Sequence, residues 1–139
     1  ISVTQIETQL YKKVEDTNVS DRANGLFVDS NDNIYITGYT DGNMPDNQNY
    51  YSGTNSQEKA DIFITKLDAQ TNKVWTKQLG TNKNDEGHGV VVDLTGNVFI
   101  VGKTRGEIGG QNIVGSWNVF ISKLSKRLIC TIENNQECE

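Results

Sequence analysis

Basic stripes, long apolar runs and histidine are what this sequence has least of. Lys and Arg number 13 against 18 Asp and Glu, giving a formal charge of −5 and a pI near 4.9. Phosphate backbones are bound by clustered positive charge that releases counterions, so nucleic acid is excluded as a partner. No apolar run approaches the roughly 18–20 residues that cross a bilayer as a helix, so no membrane insertion is expected. No basic start followed by an apolar stretch marks a signal peptide either. The chain opens at Ile1 rather than Met, and is expected to be a processed or excised segment whose signal peptide has been removed. His88 is the one histidine, and no G-x-S-x-G elbow presents a serine nucleophile. Catalysis is therefore set aside, and no cofactor is expected. Cys130 and Cys138 are the two cysteines, too few for a four-ligand zinc site. They either close a short disulfide loop in an oxidising compartment or leave Cys130 a buried thiol.

What is present is the material of β-sheet. Val, Ile, Leu, Phe and Tyr supply most of the apolar residues, which suit pleated, half-buried surfaces. Gly occurs 13 times and Pro once, while Asn and Asp crowd the stretches between apolar runs. That is the composition of many tight turns. A length of 139 residues fits one compact unit.

The sequence repeats itself. Asp21–Gly42 is answered by Asp85–Gly106 at a constant offset of 64 residues, the distance from Asp21 to Asp85. The offset pairs Gly25 with Gly89, Asp29 with Asp93, Asn33 with Asn97, Gly38 with Gly102 and Thr40 with Thr104. A second block, Ala60–Ala69, is answered by Trp117–Lys126 at an offset of 57, so the intervening loop is shorter in the second copy. Lys73–Asp85 is answered by Gln9–Asp21, again at 64. Segment 1–20 is thus expected to carry the last strand of a preceding unit, near Leu10–Val14. Blade-like repeats follow at 21–84 and 85–126, and 127–139 forms a terminal strand and a cysteine-containing tail.

Each unit divides into runs of strand length. Gly25–Asp29, Asn33–Thr40, Asp61–Asp68 and Val74–Leu79 are expected to form four antiparallel strands. Asp29–Asn33, Asp68–Asn72 and Asp93–Asn97 are expected to be hairpin turns capped by their Asp. In the second strand Ile34 and Ile36 share one face while Tyr35, Thr37 and Tyr39 share the other. Neither face is plainly polar, and a small sheet apolar on both sides must lie between other layers. Such sheets stacked around an axis make a β-propeller. Gly38 and Gly102 are expected to allow close approach between neighbouring sheets.

These residues resemble a bacterial β-propeller repeat family, the SBBP repeat. The resemblance lies in Gly25–Thr40, with its Val-Asp turn and Ile-Tyr-Ile-Thr-Gly strand, then Asp61–Asp68, then Trp75–Gly80, and in the second copy Gly89–Thr104 and Asn118–Leu124. It implies an all-β fold of about two four-stranded antiparallel blades plus a leading strand. It also implies an extracellular or cell-surface setting, in a bacterium, and carries no shared catalytic constellation. The tail after Lys126 departs from the pattern by losing the Trp and the Leu-Gly ending. Propellers close with about four to eight blades, so two blades need partners: blades of the same longer chain, or further copies of this one. An unpaired leading strand could add to another copy's sheet.

The leading functional expectation is a structural, self-assembling or protein-binding segment. The alternative is a lectin-like module that binds a surface glycan through loop 41–59, with Tyr50, Tyr51, Asp46 and Asn49 as contacts, because rings supply area and amides supply hydrogen bonds. Against this stands a solvated loop whose tyrosines pack on their own blade. Asp29, Asn31 and Asn33 have part of the spacing of a calcium loop without its glycine or its bidentate Glu, and a plain hairpin turn is the competing reading. His88, aligned with Asn24, is expected to be a polar residue where a strand begins, and Trp75 and Trp117 to pack within or between blades. Asn18–Ser20 has the form of a glycosylation sequon, one a bacterial source would usually leave unused.

Overall fold

The computed structural model describes residues 14, 19–44 and 60–126. Seven strands form two antiparallel sheets: β1 (Asp21–Val28), β2 (Ile34–Thr40), β3 (Asp61–Leu67) and β4 (Lys73–Leu79) in one, and β5 (Asp85–Val92), β6 (Val98–Thr104) and β7 (Asn118–Leu124) in the other. Strands neighbour one another in chain order, as expected of a blade. The first sheet has the anticipated four strands, whereas the second has three among the described residues. The leading strand near Leu10–Val14 and the terminal strand of 127–139 lie outside the described residues, save for Val14.

Three hairpins share one device. Asp29 accepts from the backbone amides of Asn31 and Asn33 and from the Asn33 side chain. Asp68 does the same for Gln70 and Asn72, and Asp93 for Thr95 and Asn97. The residue before the closing Asn has positive φ each time: Asp32 at 63°, Thr71 at 65° and Gly96 at 87°. Only glycine adopts that conformation without steric cost, so in two of the three turns the carboxylate cap offsets the strain.

The first strand of each sheet begins earlier than expected. β1 starts at Asp21, not Gly25, because Asp21, Arg22 and Ala23 already pair with Thr40, Tyr39 and Gly38. A bulge follows, between Ala23 and Gly25, with its counterpart between Gly87 and Gly89. The bulge explains Gly38 and Gly102 and corrects the role expected of them. A Cβ on Gly38 would strike the Arg22 carbonyl, and one on Gly102 the Glu86 carbonyl, both within their own sheets. Crowding between sheets falls instead on Gly25 and Gly87. A Cβ on Gly25 would lie 2.8 Å from the His88 carbonyl, and one on Gly87 2.5 Å from Thr37 Oγ1.

The two sheets stack face to face. Register places Phe27, Tyr35, Thr37, Ile62, Ile64, Trp75 and Leu79 on one side of the first sheet. This front face meets the back face of the second, which carries Val90, Val92, Val98, Ile100, Phe120 and Leu124. β5 makes most of the contact, lying over β1 and β2. Polar groups fix the stack at its edge: Asn24 Nδ2 donates to the Gly87 carbonyl at 2.9 Å, and the Asp85 amide to the Ala60 carbonyl at 2.7 Å. Trp75 is buried as expected, edge-on to Tyr35.

Candidate functional site

The second sheet has a front face as well, and it is open. By the repeat alignment its Val91, Val101, Val119 and Ile121 stand where the first sheet has Phe27, Thr37, Ile62 and Ile64. Ile62 and Ile64 are 0% exposed, whereas Val119 is 83% and Ile121 75% exposed. Val91 and Val101 are exposed too. The four share one side of β5–β7 by register with Phe99, Lys103 and Lys123, so this face groups exposed apolar side chains between two lysines, as interfaces do, rather than scattering them singly.

The edge of this face is polar. Glu86 accepts from Lys103 at 3.3 Å and lies 3.1 Å from His88 Nε2. Lys103 Nζ sits 4.2 Å from the centroid of the Trp117 ring, and the Arg105 guanidinium 5.7 Å from it. Trp117 is therefore a surface platform under two cations, contrary to the expectation that it packs within or between blades. Its place in the first unit is taken by the buried Ala60, so the repeat did not carry an aromatic core position there. His88 sits on the bulge of β5, three residues inside the strand rather than where it begins.

Asp29, Asn31 and Asn33 are brought together, but as a turn. Both carboxylate oxygens of Asp29 are engaged, Oδ1 by the amides of Asn31 and Asn33 and Oδ2 by the Asn33 side chain, with Tyr35 Oη 3.4 Å away. Burial alone would lift this carboxyl, yet the hydrogen bonds from Asn33, Asn31 and Tyr35 outweigh it and hold it below its ordinary range. Among the described residues no group of three or more His, Cys, Asp or Glu converges. Tyr50, Tyr51, Asp46 and Asn49 lie outside the described residues, as do Cys130 and Cys138. The start of the 41–59 loop is described and is anchored: Gln78 accepts from the Met44 amide and donates to the Gly42 carbonyl, and Met44 is buried.

Two buried carboxylates escaped the reading of the sequence. Asp85 accepts from the Thr81 amide and hydroxyl and from the Thr104 hydroxyl, closing the β4–β5 turn against β6. Asp61 accepts from Gln78 Nε2 at 2.9 Å. Burial, reinforced by the nearby charge of Asp85 and partly offset by Gln78, pushes Asp61 up to about 6. Burial likewise raises Asp85, against its three hydrogen bonds. The available signal was the recurrence of Asp at 21 and 85. Beside this turn lies an open cleft of about 660 Å³, lined by Thr81, Lys83, Glu107, Ile108 and glycines.

No curated protein matches the sequence. A family model described as a β-propeller repeat matches residues 3–44 and 74–109, more than half of the chain. The second stretch runs from β4 through β5 and β6, so the matched unit straddles two sheets: the last strand of one and the first hairpin of the next. Two antiparallel sheets stacked face to face are consistent with such a repeat, and the chain belongs to the SBBP β-propeller repeat family.

Proposed function

We propose that this chain is a non-enzymatic interaction and scaffolding segment, working outside the cell or at its surface, that binds other blades through its own blade faces and needs no cofactor. The observation that carries this reading is the open front face of β5–β7, whose exposed Val91, Val101, Val119 and Ile121 occupy positions equivalent to the buried contact between the two sheets. Burying such a surface is favourable by about 25 cal/mol per Å² removed from water. The extracellular setting is part of this proposal, motivated by the resemblance, and the acidic composition is compatible with it.

The test is the double variant Val119→Lys, Ile121→Lys. Both side chains project into solvent, so the unfolding midpoint measured in dilute monomer should not change. Sedimentation velocity should show the unsubstituted chain above its 15.5 kDa chain mass and the variant as a monomer. Identical sedimentation of the two would remove the front face from any binding role.

A further inference from the structure

We propose that the front face of β5–β7 is filled by the back face of β1–β4 of a second copy of this chain, in the relation that already joins the two sheets of one copy. This rests on the reading that blade faces are the binding surfaces, and it names the occupant.

Within one chain, the front face of the first sheet receives the back face of the second, chiefly through β5. The strand of the incoming copy equivalent to β5 is β1, where Leu26 and Val28 stand for Val90 and Val92. Leu26 is 64% and Val28 48% exposed, while Val90 is buried against the first sheet. Phe63 and Leu67, the equivalents of Phe120 and Leu124 in the existing contact, are already covered, so the new contact repeats only the β1 part of that relation. What remains open is thus the β1 side, the part the existing contact uses most. The two open surfaces are the two halves of one interface.

The bulge positions agree. Gly25 abuts the backbone of His88 and Gly89 in the next sheet, and a Cβ there would have three close neighbours. The equivalent Gly89 has, among the described residues, only Val101 of its own sheet within reach. Asn24, which donates across the existing interface to Gly87, has as its equivalent His88, an imidazole able to donate to the carbonyl of an incoming Ala23. The contact is not identical in size: Ala23 replaces Gly87, whose missing Cβ lets the sheets approach Thr37 closely, and Val101 stands in the place of Thr37. The copies therefore sit slightly farther apart than the sheets within a copy. A contact between two different surfaces propagates until it closes, and propellers close at about four to eight blades.

Two single variants and their mixture test this. Leu26→Lys disables the back face and Val119→Lys the front, both at exposed sites that folding does not need. Each variant alone should sediment as a monomer at concentrations where the unsubstituted chain associates, its self-affinity weakened by more than about tenfold. An equimolar mixture should form a two-chain complex and go no further, because it retains one intact front and one intact back. If Leu26→Lys alone still associates while Val119→Lys does not, the front face binds something other than this back face, and the proposal fails while the reading of the face as a binding surface stands. A mixture that stays monomeric also overturns it. Unsubstituted chain that never associates would remove both.

Discussion

The same strand positions are buried in the first sheet and bare in the second. Ile62 and Ile64 have Val119 and Ile121 as their counterparts, all four apolar, all four on the front of the third strand of their sheet, which is flanked by β4 in the first sheet and is the edge of the second among the described residues. The difference lies in what comes next along the stack, since the first sheet has a neighbour on its front and the second has none among the described residues. Burial here is a property of the stack rather than of the blade. An Ile on the front of a blade is therefore evidence for a neighbour whether or not that neighbour belongs to the same chain.

The comparison can be broken most forcefully at its matched isoleucines. Ile64→Ala should cost about 2–5 kcal/mol in urea unfolding through lost burial and a cavity. Ile121→Ala, measured in dilute monomer, should cost less than about 0.5 kcal/mol; equal costs would mean the second sheet's front face is covered within the chain. Next comes Asp61, which has Asn118 at the equivalent place in the second sheet. Its carboxyl is raised to about 6 in the folded chain, so the folded state holds the proton more tightly than the unfolded state. The stability it contributes is complete below about pH 4 and is lost as the pH climbs through 6, a change on the order of 2–3 kcal/mol to which Asp85 adds in the same direction. Asp61→Asn should flatten its share of that slope in unfolding measured from pH 4 to pH 8. Gly87→Ala, which would drive a Cβ into Thr37, should destabilise by about 1–3 kcal/mol. Gly89→Ala, whose Cβ would meet among the described residues only the movable Val101 side chain, at 3.0 Å, should cost clearly less. Smallest of all, Tyr50→Ala with Tyr51→Ala should leave association unchanged, and a loss of self-association would move the binding surface to the 41–59 loop.

Much of this was legible because the repeat and the alternation of side chains state the same thing. The opposed faces of Ile34 with Ile36 and of Tyr35 with Thr37 follow from a period of two, and the Asp-capped hairpins follow from Asp and Asn four residues apart. The starts of β1 and β5 were not legible, since Asp21, Arg22 and Asn24 are polar and mark no apolar run. They are held in the sheet by pairing to β2, which composition does not report. Gly38 pointed to a close approach, but to a neighbouring sheet rather than to its own, and the bulge that supplies the answer is a backbone feature. Asp61 and Asp85 were missed because an Asp at a strand end is normally solvated. Only the fold shows Gln78, Thr81 and Thr104 converging on them. The asymmetry of the two front faces was the least legible, because the sequence presents both as apolar and only the stack distinguishes them.

The most direct measurement places a photoreactive residue at position 121, in the middle of the open face, and maps the adducts by peptide mass spectrometry after irradiation of the associated chain. The account predicts cross-links between copies that end in Asp21–Val28. Adducts confined to the same chain, or running from one β7 to another, would contradict it.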